Sequence, residues 1–282
     1  EGQVSHLLPA AISNAPPMIG AWPLDSVQCC DALNLLRGLP AGSVDAIITD
    51  PPYNMTNLVF EQAIDWKEFW LQGRRVSKST RSPAILFSMQ PFTTDLIVSN
   101  RKGWRDEIVW HKTMPVGFLN ANRRPLECHE LIEIFADNEP EYFPQMETSN
   151  VIRSGSIPSG KADHYGKHER KGSYQDTGAR FPRSVWTFAQ RNTAFQNTET
   201  LHPTQKPLLL LERLIETYTR PGWLILDPFM GSGTTIVAAR NLGRRFIGCD
   251  LSSDYVAIAQ RRLAEPYTLN FITQLEQKEM AV

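Results

Sequence analysis

The chain has 282 residues, of which 41% are hydrophobic, and its formal net charge is −1. This composition is sufficient for one large domain or two smaller ones, while the near-neutral charge alone neither indicates nor excludes a nucleic-acid partner. No apolar run approaches the length of a transmembrane helix, so no membrane span is predicted. The four cysteines form no CxxC pair, which disfavours a disulfide framework or a zinc site. Both observations predict a cytoplasmic protein.

The first part of the chain predicts an arm followed by an alternating α/β pattern. Scattered prolines without a sustained period indicate an N-terminal arm at residues 1–22. Short apolar runs and one stretch with helical spacing follow up to about residue 136, and they predict a helix at 61–76 and strands at 43–50, 83–89, 105–112 and 131–136. Such alternation is typical of a mostly parallel sheet with helices on its faces.

The middle of the chain has little regular pattern. Between about 137 and 200 the sequence is rich in Gly, Ser, Asn, Arg and Lys, and it predicts a single strand at 183–188. From Arg153 to Arg191, eight basic residues stand against three acidic ones, which makes this segment a candidate contact for a polyanion. His164 and His168 have a metal-like spacing, but no cysteine lies near them, so no metal site is predicted.

The α/β pattern resumes near Pro207 and ends before a polar tail at 268–282. Proline in the first turn and a Pro-Gly stop delimit a helix at 207–222. The alternation then predicts a strand at 223–229, a helix at 234–243, a strand at 245–251 and a helix at 253–266.

The stretch "TDPPYN", Thr49 to Asn54, interrupts the first predicted strand with an acid, two prolines and an aromatic ring. Pro51 and Pro52 form a stiff segment whose carbonyls can only accept hydrogen bonds, and Asp50 is a further acceptor. Paired acceptors suit a group with two donor hydrogens, such as the exocyclic amine of a nucleobase, and Tyr53 offers a face for stacking. An ordinary turn that caps the strand is the alternative interpretation.

Direct methyl transfer to such an amine needs positioning and hydrogen bonding, and it needs no catalytic cysteine. Because the amine lies inside a duplex, the base has to be flipped out.

A second motif, "LDPFMGSGTT", places Asp227 at a strand end and Gly231 and Gly233 in the following turn. Glycines allow close approach of a ligand, and the helix that follows offers free N–H groups. The turn has no Walker lysine, and Ile236 stands where a dinucleotide motif has its third glycine. Asp250 ends the next strand 23 residues after Asp227, near the spacing of an acid that binds a ribose. This pattern suits S-adenosylmethionine (SAM), and the alternative is a tight turn without a ligand.

Together these motifs resemble those of the amino-directed DNA methyltransferases, with "DPPY" as the catalytic motif and "DPFMGSGTT" as the SAM motif. The catalytic motif comes first, as in the permuted β group. "CDALNLLRGLPAGSVDAIITDPPY" is similar to that group's first segment, in which Asp31 matches an acid beside the cofactor. "HPTQKP" is similar to the motif before the SAM strand, and it implies that Lys206 lies near the cofactor. A helix N-terminus capped by Thr204 is a compatible interpretation of this last motif.

The resemblance implies a doubly wound, mostly parallel Rossmann-like SAM-dependent methyltransferase sheet, circularly permuted, with an inserted, irregular target-recognition region. It divides the chain into the arm at 1–22, the catalytic half at 23–114, the target-recognition region at 115–200, the SAM-binding half at 201–267 and the tail at 268–282.

The resemblance also implies the residues of the site. The catalytic residues are Asp50, Pro51, Pro52 and Tyr53, and the cofactor-binding residues are Asp31, Lys206, Asp227, Pro228, Phe229, Gly231, Ser232, Gly233, Thr234 and Asp250. Double-stranded DNA is the expected partner, with a homodimer and a cognate restriction endonuclease as further expected partners. Asn120, Arg123, Arg124 and Gln190 have donor patterns that suit the major groove, and a solvated loop side chain is the alternative interpretation for each of them.

An aspartate at position 50 favours adenine as the target, with the cytosine amine as the alternative. A catalytically inactive DNA-binding relative is a second alternative, although the catalytic motif is intact. Methylation of RNA or of a protein glutamine is a third, and the order of the motifs disfavours it.

Overall fold

The computed structural model of the protein describes a sheet with helices on both faces. The residues that it describes are 17–53, 64–149, 155–156, 173–174, 176–190 and 205–265. His164, His168 and the predicted tail lie outside them. Within the described residues, no helix is long and apolar enough to cross a membrane.

The described chain contains six helices and fourteen strands, and several consecutive strands occupy its middle part. The helices are α1 (Ala32–Gly38), α2 (Trp66–Val76), α3 (Phe92–Ser99), α4 (Leu208–Tyr218), α5 (Thr234–Asn241) and α6 (Ser253–Ala264), with a 3₁₀ turn at Phe118–Asn120. The strands are β1 (Met18–Ile19), β2 (Trp22–Pro23), β3 (Ser26–Cys29), β4 (Ala46–Thr49), β5 (Ala84–Ser88), β6 (Trp104–Val116), β7 (Glu127–Phe135), β8 (Glu147–Thr148), β9 (Gly155–Ser156), β10 (Ser173–Tyr174), β11 (Ala179–Arg180), β12 (Val185–Phe188), β13 (Leu224–Asp227) and β14 (Arg245–Asp250).

Eight strands form the central sheet in the order β12-β6-β7-β5-β4-β13-β14-β3. Only β7 runs antiparallel to its neighbours, β5 and β6, among these strands. The sheet is therefore mostly parallel, as predicted. Short apolar strands such as β4 and β13 are buried on both faces, which is the pattern expected when helices cover a parallel sheet.

Two apolar cores lie on opposite faces of the sheet. On one face, helices α1, α2 and α3 contribute Leu35, Phe69 and Leu96. On the other face, α4 and α5 contribute side chains such as Leu214 and Ile236. The chain is thus doubly wound, and the fold class predicted from the sequence is confirmed.

The central sheet has a topological switch point between β4 and β13. From β4 the chain continues to β5 on one side, whereas from β13 it continues to β14 on the other side. Both strands end at the same edge, because Ile225 pairs with Ala46 and Leu226 pairs with Ile47 in parallel register. In open α/β sheets this crevice at the carboxyl ends of the strands is where ligands bind.

The N-terminal arm differs from its prediction at residues 17–22. Here β1 and β2 pair as a short hairpin, and the indole N–H of Trp22 donates to the carbonyl of Leu35 at 3.1 Å. Trp22 also packs on the core beside α1. Two-residue strands are too short to leave a periodic signal in the sequence, so this order could not be predicted from pattern alone.

Two strands of the central sheet lie within the range 115–200 that the resemblance assigns to target recognition. Strand β7 lies inside the predicted range 115–200, yet it sits in the middle of the sheet between β5 and β6. Strand β12 pairs in parallel with β6 and completes one edge of the same sheet. Strands β7 and β12 thus belong to the central sheet, and target recognition by the rest of this range stays a prediction.

Candidate active site

The two sequence motifs meet at the switch point of the sheet. The hydroxyl of Thr49, the last residue of β4, donates to Oδ1 of Asp227 at 2.6 Å. Asp227 is 2% exposed and also accepts the backbone N–H of Phe229 at 3.2 Å. Burial raises the pKa of Asp227 to about 7, although the hydrogen bonds from Thr49, Thr235 and Phe229 act in the opposite direction. Asp227 thus links the ends of β4 and β13 and also accepts a hydrogen bond from the start of the glycine turn.

Asp50 lies directly after β4, and both of its carboxylate oxygens have partners. The hydroxyl of Tyr53 donates to Oδ1 at 2.8 Å, and the ammonium of Lys206 donates to Oδ2 at 2.6 Å. Burial, followed by the charge of Asp50, raises the pKa of Tyr53 well above its ordinary value, so this hydroxyl remains a donor. The Tyr53 ring stacks on Phe92 with centroids 5.0 Å apart, and Phe92 is held at the start of α3.

A buried line of alternating charges continues from Asp50 into the sheet. The ammonium of Lys206 also lies 3.2 Å from Oε2 of Glu130 on β7. The other oxygen of Glu130, Oε1, lies 2.5 Å from the ammonium of Lys112 on β6. Burial by itself would raise the pKa of Glu130, but the two lysines outweigh it and lower that pKa. Sequence reasoning missed Glu130 and Lys112. Their only signal is a charge within a strand pattern on each side of the β6–β7 hairpin.

Lys206 lies at the catalytic motif in this arrangement. Its nitrogen is also 5.1 Å from the centre of the Phe87 ring and 5.9 Å from that of Tyr53. The resemblance implies that Lys206 lies near the cofactor, whereas its contacts among the described residues are with Asp50, Glu130 and these two rings. A cofactor contact for Lys206 stays a prediction.

The two glycines of the turn are required for different structural reasons. Gly231 has φ +51°, and a Cβ atom built on it would meet nothing within 4 Å. Gly233 has φ +80°, and its Cβ would lie 2.7 Å from the Cβ of Ala259 on α6. Gly231 therefore borders open space, whereas Gly233 allows close packing between two helices.

Ser232 and Thr234 of the same turn face the protein. The guanidinium of Arg262 on α6 donates to the carbonyl of Ser232 at 2.6 Å and lies 3.1 Å from the Thr234 hydroxyl. Both residues are buried, and burial lowers the pKa of Arg262 to about 10. Arg262 is a further residue that sequence reasoning missed, since a basic residue near a helix end gives no distinguishing signal. A contact of Ser232 or Thr234 with the cofactor stays a prediction.

The two remaining acids border the same edge of the sheet. Oδ1 of Asp31 accepts the backbone N–H groups of Leu33 and Asn34 at 3.0 and 3.1 Å, so Asp31 caps α1. Oδ2 of Asp250 accepts the N–H of Gly231 at 3.1 Å. Because β3 and β14 pair in parallel, the chain segments before Asp31 and at Asp250 are neighbours.

Two apolar members of the SAM motif pack below the turn. The carbonyl of the buried Pro228 accepts the thiol of Cys249 at 3.2 Å. Phe229 is half-buried, and its ring stacks on Phe69 with centroids 6.1 Å apart. The structure thus gathers the predicted residues along one edge, between the end of β3 and the end of β4.

Comparison with known proteins gives concordant matches. A family model described as a DNA methylase, for the N6/N4 methyltransferases, matches residues 44–261. The type II methyltransferase M.BglII of Bacillus subtilis is 32% identical over 86% of this chain and 69% of its own length. Among solved structures, the M1.HpyAVI–SAM complex is 24% identical, with a TM-score of 0.57 over 85% of this chain and 99% of its own. The cytosine-N4-specific PvuII DNA methyltransferase is 16% identical, with a TM-score of 0.59 over 90% and 91%.

Proposed function

The chain belongs to the N6/N4 DNA methylase family, and from this premise we propose that it transfers a methyl group from SAM to the exocyclic amine of a flipped adenine in a specific double-stranded DNA sequence. The observation that carries the proposal is the hydrogen bond between Thr49 and Asp227. It joins the strand that precedes the "DPPY" motif to the strand that precedes the glycine turn. A methyl acceptor and a methyl donor bound at these two motifs would therefore be neighbours.

At the catalytic motif, Asp50 and the carbonyl of Pro51 are the proposed acceptors for the two N–H groups of the target amine. Tyr53 is the proposed stacking platform. Phe92 supports one face of its ring, and the other face is assigned to the base. Stacking of a base on an aromatic side chain contributes about 1–3 kcal/mol. These contacts hold the amine in one orientation, which is the main contribution that a protein makes to a direct transfer.

The residues at the glycine turn fit a ligand with ribose hydroxyl groups and an apolar ring. Space is open at Gly231, the N-terminus of α5 has no side-chain cap, and the Asp250 carboxylate and the Phe229 ring are half-buried beside it. Asp250 and Asp31 are the proposed partners of hydroxyl or amino groups, and Phe229 is a proposed apolar contact. When bound, SAM supplies an electrophilic methyl group on a sulfonium.

Adenine is the proposed base because the motif begins with Asp50, which is typical of adenine-directed members. The cytosine-N4 specificity of a structural relative keeps the cytosine amine as the second candidate. The two products differ in mass and retention as nucleosides, so one experiment distinguishes the two candidates.

The DNA contacts are proposed for the predicted target-recognition region, residues 115–200. Arg123 is exposed, whereas Arg124 forms an ion pair with Glu127 at 2.9 Å. Basic side chains there are suited to phosphates, and Asn120 and Gln190 are proposed to contact bases. Because M.BglII is named a type II methyltransferase, a cognate restriction endonuclease is a proposed functional partner. A homodimer stays a prediction.

The direct test incubates the protein with SAM and unmethylated plasmid DNA and then analyses the digested nucleosides by mass spectrometry. We expect N6-methyladenine, and none from the Asp50→Ala variant. N4-methylcytosine alone would replace adenine by cytosine as the substrate. Neither product, with SAM and DNA binding intact, would support the inactive DNA-binding relative. RNA and a glutamine peptide serve as control substrates and are expected to remain unmethylated.

A further inference from the structure

We propose that Glu130 is a positioning residue, which fixes the ammonium of Lys206 against Asp50 and thereby sets the orientation of the catalytic carboxylate. This inference rests on the proposed function, and it assigns a role to a residue outside both sequence motifs.

The geometry of Lys206 carries the inference. Its ammonium lies 2.6 Å from Oδ2 of Asp50 and 3.2 Å from Oε2 of Glu130, so one cation bridges two carboxylates. The Lys206 side chain is 10% exposed, and the rings of Phe87 and Tyr53 lie beside its nitrogen. A lysine side chain has four rotatable bonds, and a single anchor would leave its nitrogen free to swing away from Asp50. Two carboxylate anchors fix its position.

Glu130 is itself positioned by a second buried lysine, Lys112. Lys112, which is 8% exposed, lies 2.5 Å from Oε1 of Glu130, and its ammonium also lies 5.2 Å from the centre of the Trp110 ring. The β6–β7 pairing carries both residues, with Trp110 directly opposite Glu130. The rigid hairpin therefore sets the position of Glu130, Glu130 sets that of Lys206, and Lys206 and Tyr53 together hold the two oxygens of Asp50.

The charges within this line balance. Two lysines and two carboxylates alternate, and a buried ion pair persists only when each charge keeps its partner. Burial by itself would lower the pKa of Lys206, but Asp50 and Glu130 outweigh it and raise that pKa. Lys206 is therefore an ammonium, which donates a hydrogen bond to Oδ2 of Asp50 and forms an ion pair with Glu130, whose Oε2 has no hydrogen-bond partner among the described residues.

The first experiment compares Glu130→Gln with Glu133→Gln, a matched substitution on the same strand. Glu133 is buried and accepts the Trp104 indole N–H at 2.6 Å. For Glu130→Gln we expect kcat to fall by up to about 100-fold, since a misplacement near 1 Å has that effect, while SAM affinity stays within a few fold. Glu133→Gln should keep the wild-type kcat. An unchanged kcat in Glu130→Gln would overturn the proposal.

A double-mutant cycle shows whether Glu130 acts through Lys206. In a Lys206→Met background, Glu130→Gln should cause no further loss of kcat. An equal loss in both backgrounds would mean that Glu130 acts independently of Lys206 and would refute the positioning role. Because Glu130→Gln leaves the buried Lys112 unpaired, the variant with Lys112→Met and Glu130→Gln combined keeps the test valid if the single variant fails to fold.

A chemical readout separates this inference from the proposed function. Competitive acetylation of the protein alone, followed by peptide mass spectrometry, measures the free-amine fraction of Lys206. Removal of one neighbouring carboxylate should lower the pKa of Lys206, which enlarges the free-amine fraction and should speed labelling severalfold. Unchanged labelling would overturn the Glu130–Lys206 pair even in an active enzyme. Absence of methyl transfer by the wild type would refute the proposed function, and labelling would still decide the pair.

Discussion

The two glycines of the SAM motif should separate cofactor binding from stability when each is replaced by alanine. Both have positive φ, so each replacement incurs about 1–2 kcal/mol for a left-handed backbone with a side chain. At Gly231 nothing else opposes the new methyl group, which would instead occupy the open space assigned to the cofactor. We therefore expect Gly231→Ala to weaken SAM binding by at least tenfold, with a loss of stability near that backbone value.

Gly233→Ala should reduce the stability of the protein more than its affinity for SAM. Its new Cβ would lie 2.7 Å from the Cβ of Ala259 and 3.3 Å from the Cα of that residue, so α5 and α6 must move apart. Overpacking of this kind costs about 1–3 kcal/mol in addition to the backbone term. The expected total is about 2–5 kcal/mol, summed from the two ranges.

Urea denaturation measures the stability of both variants, and titration calorimetry with SAM measures their affinity at a temperature where both are folded. Addition of Ala259→Gly to Gly233→Ala is a control, because it removes the clashing methyl group and should recover part of the lost stability. Equal destabilisation by the two alanines, with no selective loss of SAM affinity in Gly231→Ala, would refute this interpretation of the turn.

Three further predictions concern other parts of the molecule. Asp50→Ala should abolish methyl transfer while SAM affinity, measured by calorimetry, stays within a few fold, and a large loss of SAM binding would assign Asp50 to the cofactor instead. Burial raises the pKa of Glu133 from 4.5 to about 7, so the folded state favours the protonated carboxyl. The free energy of unfolding should therefore fall as pH rises from 4.5 through 7, and the urea midpoints at pH 5 and pH 8 should differ less in Glu133→Gln than in the wild type. An equal difference in both proteins would contradict a buried neutral Glu133. Arg123→Ala should lower the slope of log affinity for DNA against log salt by about 0.9 if Arg123 neutralises one phosphate, and an unchanged slope in salt titrations would exclude that contact.

The fold could be predicted largely from periodicity. Strands β4, β5, β13 and β14 are short apolar runs that stop at polar or turn residues, and the helices that follow β13 and β14 have clear start and stop signals. The antiparallel placement of β7 was not predictable, because an apolar run does not encode the direction of its neighbours. Helices α1 and α3 were also not identified, because they have only seven and eight residues and, unlike the equally short α5, do not follow a glycine turn.

The candidate site was predictable where the functional residues are adjacent in the sequence. "DPPY" and "DPFMGSGTT" are local motifs, and the structure places the ends of their strands side by side. Glu130, Lys112 and Arg262 were missed because each acts on a residue distant in sequence. Lys206 and Asp50 are 156 positions apart, and only the folded sheet brings their charges to 2.6 Å.

Methyl transfer to adenine is measured directly by nucleoside mass spectrometry of DNA treated with the protein and methyl-labelled SAM, with Asp50→Ala as control. We expect labelled N6-methyladenine from the wild type and none from the variant. Labelled N6-methyladenine from both proteins in equal amount would contradict the role of Asp50. No labelled base from a wild-type protein that binds SAM and DNA would contradict the proposed activity.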